Sequence, residues 1–401
     1  MIETIEIRNF KSIGKIKLEL GRVNVFIGEN GAGKSNLLEA IALAGAAAAG
    51  KLDNEFLVSR GIRVTQPQHM RPRFSDCSDN EPINVNLSSD SGLDIHYEIQ
   101  NDNKPYSPWN FSFKKNGLNE SEYLQKEISE FVSANKQNKE KFESSMASFW
   151  KDISSTFNAT KKKRKTADDF ISNFFREVRD RYNTQPKEIE DFVIFSPENT
   201  KLRSVEADSQ IEPLGINGEG LIRFLAFLSI IDEESIKSIN DCLKLLGWFE
   251  EFSMNLETSL PNIDIHDRFL AESKKKLDLR SANEGFLYLV FYFCLFSSRM
   301  TPPFFAIDNI DTSLNPKMCL ALMKQLATLA KTHGKQTILT THNPAILDGL
   351  NLNDDDQRLF VISRNIHGYT RIKRIFKPTG KELKLSEMFM NGSLGGLPQG
   401  F

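Results

Sequence analysis

One short segment near the N-terminus limits what this chain can fold into more than any other feature. Residues 28–35 read GENGAGKS, which fits the phosphate-binding pattern G-x-x-x-x-G-K-[ST]. The apolar stretch 22–27 before it predicts a β-strand, and residues 36–44 after it predict a helix. In such a unit the glycines let backbone N–H groups converge on phosphate oxygens at the helix N-terminus. The spacing therefore predicts a nucleotide site in which Lys34 neutralises the β- and γ-phosphates and Ser35 holds Mg²⁺.

Two later segments extend this prediction. Residues 304–308 form an apolar run that ends in Asp308, as in a strand whose acid holds the water shell of Mg²⁺. Residues 335–341 predict another buried strand, and His342 comes just beyond its end. Ligands bind outside the carboxyl ends of parallel strands, so we expect both strand ends to meet the loop at 28–35. His342 is then expected to contact the γ-phosphate.

Composition indicates an ordinary globular protein. Of the 401 residues 40% are hydrophobic, and the formal net charge of −2 argues neither for nor against nucleic acid as a partner. The four cysteines lie far apart without metal-binding spacing, which argues against zinc and disulfides and indicates a reducing cytoplasm. The N-terminus does not resemble a signal peptide. The apolar run 286–296 is shorter than the roughly 20 residues of a spanning helix, so it predicts a buried helix and no membrane association.

Changes in hydrophobic pattern predict three regions. Residues 1–100 contain the phosphate-binding segment and alternating apolar residues typical of an antiparallel β subdomain. Residues 101–190 are rich in charged and polar residues, with apolar residues at helical spacing, which predicts an inserted helical lobe. Residues 191–401 return to the composition of a core, with a helix at 221–231 and mostly helical structure across 233–280.

Two lysine-rich runs could contact a phosphate backbone. Residues 161–165 read KKKRK and residues 274–276 read KKK. Because no aromatic residues are interleaved, the favoured interpretation of the first run is a solvated loop between two helices. The favoured interpretation of the second is a solvated helix face. Nucleic acid stays a possible partner on this basis.

The motifs also follow a characteristic order. Residues 4–12 read TIEIRNFKS, residues 28–36 form the phosphate loop, and residues 281–286 read SANEGF at the place of a signature motif. DNIDTSLNP at 308–316 has the form of a fused Walker B and D-loop, and THNP at 341–344 that of an H-loop. In this order the segments resemble the ABC-type ATPase heads of the SMC, RecF and OLD group, across most of the chain outside the insertion.

The resemblance implies an α/β fold, a P-loop ABC-type ATPase head with a mixed central sheet, an antiparallel β subdomain and an inserted helical lobe. It also implies a homodimer or higher homo-oligomer, in which each ATP lies between one subunit's phosphate loop and the other's signature. Gln66 would join Ser35 and Asp308 at the metal, with Gln68 as an alternative assignment. The residues implied to bind ATP are Gly28, Glu29, Asn30, Gly31, Ala32, Gly33, Lys34, Ser35, Asn36, Asn283, Gly285 and Ser313.

The signature departs from the group's pattern of Ser-x-Gly at the start of a helix. If Gly285 is the anchor, Asn283 stands at the Ser position. An Asn side chain can still donate a hydrogen bond to a γ-phosphate. Ser281 would then serve only as the N-cap of the helix.

A second departure concerns hydrolysis. Asn309 stands where the group has the Glu that polarises the attacking water. An amide cannot take up that proton, and loss of a general base costs about 10²–10⁴ in rate. Asp311 is a less favoured substitute, because the group carries an acid there in addition to its Glu. We therefore expect tight ATP binding with slow turnover. The candidate catalytic residues are Asp308, Asn309 and His342.

The C-terminal segment bears on the kind of function. Too few residues follow His342 for the Toprim nuclease domain that OLD-type enzymes carry, and runs at 359–363 and 369–375 predict a closing hairpin. The favoured interpretation is a sensor or scaffold ATPase of bacterial anti-phage defence, similar to the ATPase subunits of Septu or PARIS, which controls a separate nuclease or toxin. The alternative is a RecF-like DNA-repair clamp on duplex DNA. A transporter subunit is disfavoured by the modified signature, and no N-K-x-D motif indicates a GTPase.

Overall fold

Three β-sheets form the framework of the described part of the chain in the computed structural model. The structure describes residues 1–74, 81–104, 107–119, 122–123, 126, 187–204, 213–255, 261–271, 276–278, 281–377 and 383–397. The strands are β1 (Ile2–Phe10), β2 (Ile13–Glu19), β3 (Val23–Ile27), β4 (Ile83–Ser89), β5 (Asp94–Gln100), β6 (Asn110–Lys115), β7 (Leu118–Asn119), β8 (Ile194–Phe195), β9 (Phe249–Asn255), β10 (Asn262–Asp267), β11 (Lys276–Leu277), β12 (Phe304–Ile307), β13 (Gln336–Thr341), β14 (Gln357–Arg364) and β15 (Thr370–Ile375).

Helices pack on both faces of the central sheet. The α-helices are α1 (Lys34–Ala48), α2 (Asn54–Ser59), α3 (Lys187–Glu190), α4 (Asn199–Leu202), α5 (Leu221–Ile231), α6 (Glu233–Leu243), α7 (Glu284–Ser297), α8 (Pro316–Thr332) and α9 (Leu385–Met390). Short 3₁₀ helices span Pro67–Met70 and Pro344–Gly349. The helical pattern and basic run predicted across 120–186 lie almost entirely outside the described residues, as do two of the three lysines at 274–276.

The central sheet has the strand order β15-β14-β3-β13-β12-β8. All neighbours in it are parallel except the edge strand β15, which pairs antiparallel with β14 as the predicted closing hairpin. Parallel alignment places the carboxyl ends of β3, β12 and β13 at one edge of the sheet. The segments that follow these three strands are the phosphate loop, the segment beginning at Asp308 and the segment containing His342.

The predicted antiparallel subdomain is a six-stranded sheet of order β2-β1-β4-β5-β6-β7. Strands β1, β2, β4 and β5 fall where alternating apolar residues predicted them. Strand β6 extends the sheet by pairing Ile99 with Phe111 and Tyr97 with Phe113. The boundary predicted after residue 100 therefore falls inside this sheet, because the apolar positions of β6 cover the same face as those of β5.

The prediction of mostly helical structure across 233–280 is wrong beyond α6. Strands β9, β10 and β11 form a separate antiparallel sheet of order β11-β10-β9. Ile263 and Ile265 are fully buried on one face of β10, and Phe252 pairs with Ile265 across the hairpin. Burial with a period of two specifies a strand. Exposed acids in β9 and the break at Pro261 hide that period in the sequence.

Helix α1 lies between the two large sheets and is buried along almost its whole length. Its run of small residues permits this close approach. A Cβ added at Gly45 would lie 2.5 Å from the carbonyl oxygen of Ile189 in α3, a contact that only glycine avoids. This packing anchors the helix whose N-terminus begins the candidate site.

Helix α7 is the predicted buried helix. Every residue from Phe286 to Ser297 is buried, and its rings pack edge-on against the central sheet, with centroids of Phe296 and Phe305 5.1 Å apart. None of the helices in the described part of the chain has the length and apolar content needed to cross a bilayer.

Lys335, just before β13, is buried and leads to a prediction about pH. Its ammonium donates to the carbonyl oxygens of Thr301 at 2.7 Å and Pro302 at 3.3 Å, and burial lowers the pKa of Lys335 to about 8. The unfolded chain has a Lys pKa of about 10.4, so between these values the unfolded state binds more protons. The free energy of unfolding should rise by about 2–3 kcal/mol from pH 7.5 to 10, relative to Lys335→Met. Urea titrations of both proteins test this, and parallel pH profiles would contradict it.

Candidate functional site

The loop between β3 and α1 is shaped by two glycines that admit no side chain. A Cβ at Gly28 would lie 2.0 Å from the carbonyl oxygen of Ile362, and one at Gly33 would lie 2.1 Å from the hydroxyl oxygen of Thr370. Gly33 is also the N-cap of α1, with φ of 109°, and supplies no side-chain cap. The backbone N–H groups in the first turn of α1 can therefore donate hydrogen bonds to an anion, and the loop fits a phosphate.

The Lys34 side chain folds back over this loop. Its ammonium donates to the carbonyl oxygens of Gly28 at 2.9 Å and Glu29 at 3.0 Å. Burial lowers the pKa of Lys34, while the charge of Asp308 acts in the opposite direction. A buried cation therefore lies within the loop, close to a carboxylate from the neighbouring part of the sheet.

Ser35 and Asp308 meet at the start of α1. The Ser35 hydroxyl donates to Oδ2 of Asp308 at 3.2 Å, and Thr340 donates to Oδ1. Hydroxyl and carboxylate oxygens are ligands that suit Mg²⁺, which keeps several waters and binds through one or two carboxylates plus substrate phosphates. The described residues contain no group of three or more His, Cys, Asp or Glu able to hold a metal ion.

The residue after Asp308 is the amide Asn309, at the position where the resemblance implies a base. Asn309 is exposed and adopts a left-handed backbone with φ of 54°, and its N–H donates to the Thr340 hydroxyl at 2.9 Å. Asp311, the less favoured substitute, accepts from the Thr341 hydroxyl at 2.6 Å and from the N–H of His342 at 3.3 Å. One carboxylate oxygen of Asp311 is thus committed to holding the two segments together.

His342 lies close enough to the phosphate-loop residues for their charges to act on it. His342 is an exposed residue, and the partial desolvation of its imidazole lowers its pKa; the charge of Lys34 lowers the pKa further, and Asp311 and Asp308 oppose this. A lowered pKa keeps the imidazole neutral at neutral pH. The structure therefore brings Lys34, Asp308 and His342 close together, as expected for residues that follow the carboxyl ends of neighbouring parallel strands.

The predicted signature residues form a second group at the start of α7. Asn283, and not Ser281, is the N-cap, since its side-chain oxygen accepts from the N–H of Phe286 at 2.8 Å. Ser281 instead donates to Asp278 at 2.8 Å. The expectation that Ser281 caps the helix is wrong, because the helix begins two residues later. Capping uses only the side-chain oxygen of Asn283, so its NH₂ keeps its donor capacity.

The D-loop packs directly on this second group. A Cβ at Gly285 would lie 3.3 Å from the carbonyl oxygen of Ser313. The Ser313 hydroxyl donates to Glu284 at 2.9 Å, and Glu284 also accepts from Asn199 at 2.9 Å. Among the hydrogen bonds of the described residues, none joins this second group directly to residues 28–36. Residues 308–316 thus contact the phosphate loop through Asp308 and the second group through Ser313.

Gln66 lies in a different cleft. Its side-chain oxygen accepts from Gln68 at 2.8 Å, and the cleft is also lined by Asn54, Asn103 and Trp109. No hydrogen bond of the described residues joins Gln66 to Ser35 or Asp308. Its predicted role at the metal stays a prediction.

Sequence reasoning missed the residues that hold the loop from outside. Arg364 of β14 donates to the carbonyl oxygen of Gly31 at 2.8 Å, and Thr370 of β15 donates to that of Ala32 at 2.9 Å. The hydroxyl groups of Ser12 and Thr370 form a hydrogen bond, with 2.6 Å between their oxygens. The closing hairpin was predicted, but nothing at these positions indicated a contact with a loop more than three hundred residues away.

This chain matches a known protein family over most of its length. Residues 23–348 match a family model described as "AAA domain, putative AbiEii toxin, Type IV TA system". Over 67 residues the chain is 48% identical to an uncharacterized protein of Methanocaldococcus jannaschii, a match that spans 15% of this chain and 31% of that protein.

Solved structures similar to this chain include SMC head domains. For the SMC head domain from Thermotoga maritima the identity is 14% and the TM-score 0.50, over 93% of this chain and 98% of that one. For an SMC head bound to the C-winged helix domain of ScpA they are 14% and 0.53, over 95% and 99%. For a Pyrococcus yayanosii SMC head with a coiled coil and joint they are 13% and 0.51, over 98% and 99%. The predicted α/β fold of a P-loop ABC-type ATPase head is confirmed.

Proposed function

This chain belongs to the family of AAA domains described as putative AbiEii toxins of type IV toxin–antitoxin systems, and we propose that it is a dimeric, slowly hydrolysing ATP-binding switch of bacterial anti-phage defence. In this role it senses infection and controls a separate effector, a nuclease or a toxin. One observation supports the proposal most directly: Ser35 and Asp308 meet at the phosphate loop, while the next residue, at the position proposed for the base, is the amide Asn309. An ATP-held assembly suits a switch better than a motor, because nucleotide binding alone shifts the population of states.

The chain's own residues fit ATP with Mg²⁺, the nucleotide that ATPase heads of this kind use. Lys34 would neutralise the β- and γ-phosphates beside the N–H groups of α1, and Ser35 with Asp308 would hold the metal. The metal would supply charge neutralisation at the phosphate oxygens. Asn309 can orient a water by hydrogen bonding but cannot accept its proton.

The signature group forms its own hydrogen-bonded cluster, which supports a composite site. Asn283, Gly285 and Ser313 lie together at the start of α7, away from the hydrogen bonds of the phosphate loop. We propose that they contact the ATP bound by a second copy, with the Asn283 NH₂ as the donor. The SMC head solved with a domain of ScpA supports the idea that such heads also bind a different protein, which here would be the effector.

Co-purification from the native operon tests the proposal. With ATP and Mg²⁺, the tagged chain should retain a nuclease-like or toxin-like partner, and Lys34→Ala should lose it, because the assembly is held by nucleotide. Lys237→Ala, a change at an exposed lysine of α6, serves as the control that keeps the partner. Recovery of duplex DNA alone, with an affinity that falls steeply with salt, would contradict the switch and favour the DNA clamp.

A further inference from the structure

Helix α5 leaves an unusual apolar stripe uncovered. Phe227, Ile230 and Ile231 are 44%, 70% and 55% exposed. Their spacing of three and four residues makes them neighbours on one helix face. Single exposed apolar residues are normal, but adjacent large ones rimmed by charge mark an interaction surface. We call these three residues the α5 stripe.

The remainder of α5 explains why the stripe is free. Leu221, Phe224, Leu225 and Leu228 are buried and turn the opposite face toward the core. The helix is apolar on nearly every face, although only one face has a place in the core. An apolar helix with one face outward indicates a second surface that covers it.

Opposite charges stand at the two ends of the stripe. Arg223 lies one helical turn before Phe227, and Glu233 and Glu234 follow just after the helix ends. All three are exposed, and none of them forms an ion pair within the described part of the chain. The stripe therefore has a positive end and a negative end.

We propose that the α5 stripe is a second self-association surface, which binds the α5 stripe of another copy of this chain with the two helices antiparallel. A two-fold interface uses the same patch on both partners, so it requires a patch that complements itself. An antiparallel two-fold arrangement about the midpoint between Leu228 and Ser229 brings Phe227 of one copy opposite Ile230 of the other. It also brings the Arg223 end of one α5 beside the acidic end of the other, where Glu233 and Glu234 begin α6, and we pair Arg223 with Glu234 across this contact.

This contact differs from the composite nucleotide site in location and in requirement. It uses neither the phosphate loop nor the signature group, so it forms without nucleotide. One helix face buries less than the roughly 1,200 Å² of a stable interface, so we expect association in about the micromolar range. Together with nucleotide-held head contacts it would join dimers into larger assemblies.

Sedimentation of the Lys34→Ala chain without nucleotide tests the surface, because that variant removes the proposed nucleotide-held contact. Its mass should rise from monomer to dimer between about 1 and 100 µM. Ile230→Glu should weaken this association roughly tenfold or more, since the stripe would bury a charge. Val58→Glu, a change at a 52% exposed residue of α2, is the matched control. A chain that stays monomeric throughout, or equal effects of the two changes, would overturn the proposal.

Charge reversal tests the antiparallel arrangement. Arg223→Glu and Glu234→Arg should each self-associate a few-fold more weakly than the parent at low salt, because like charges face each other. A mixture of the two variants should associate at least as well as the parent, since both contacts then pair opposite charges. Circular dichroism verifies that each variant is folded. A mixture no stronger than either variant alone would exclude the proposed pairing of residues 223 and 234.

Discussion

Lys34→Ala should abolish measurable ATP binding. The Lys34 ammonium is buried within the loop and now holds the carbonyl oxygens of Gly28 and Glu29. Hydrogen bonds to charged groups contribute about 1.5–3 kcal/mol each, so loss of a buried cation that is proposed to neutralise two phosphates should weaken binding by at least about a hundredfold, which takes it out of the measurable range. Titration calorimetry with ATP and Mg²⁺ measures this directly.

The control for this change is Lys237→Ala, which removes an exposed lysine outside the site. It should bind ATP like the parent chain. Thermal unfolding of Lys34→Ala must show a folded protein, because Lys34 also braces the loop backbone. An unaltered ATP affinity in a folded Lys34→Ala protein would mean that residues 28–35 are not the nucleotide site.

Asn309→Glu should raise ATP turnover by about 10² or more, because it supplies a base where the chain has an amide. Asn309 is exposed and follows Asp308 directly, so a longer acidic side chain has room beside the proposed metal ligands. The left-handed backbone at this position disfavours side chains other than Asn and Gly, and the variant should lose about 1–2 kcal/mol of stability. Steady-state phosphate release measures the rate.

Asn309→Gln is the matched control, because it adds the same length without a base. Its turnover should stay at the parent level. If the parent chain already hydrolyses ATP at 1 s⁻¹ or faster, within the range typical of enzymes, the switch proposal loses its support. In that case Asp311 would become the candidate base, despite its hydrogen bonds to Thr341 and His342.

The parts of the site that the sequence predicted well are those coded by neighbouring residues. The phosphate loop, the strand that ends before Asp308 and the buried strand before His342 each combine a periodic pattern with a polar residue at its end. Thr340 shows the limit of such patterns. It binds the carboxylate of Asp308 and the N–H of Asn309, yet in the sequence it is one of several β-branched residues in a buried strand.

The helix start at α7 shows the same limit on a smaller scale. Ser281 and Asn283 are both good N-cap residues, and the sequence alone favoured Ser281. Asn283 caps the helix because the residues on either side of it are held in place by hydrogen bonds. Arg203 donates to the carbonyl oxygen of Ala282 at 2.6 Å, and Ser313 of the D-loop donates to the carboxylate of Glu284. Both partners come from other elements of the fold.

The fold class, the phosphate loop and the amide at Asn309 could be read from consecutive residues, because a local motif states its own chemistry. Contacts between distant elements were needed to establish that the hairpin β14–β15 holds the loop through Arg364, that β9–β11 form a sheet, and that one face of α5 remains outside the core. These features depend on which distant residues meet. A stripe of apolar side chains has the same sequence whether it is covered or exposed, so its role as a contact surface emerges only when the core is complete.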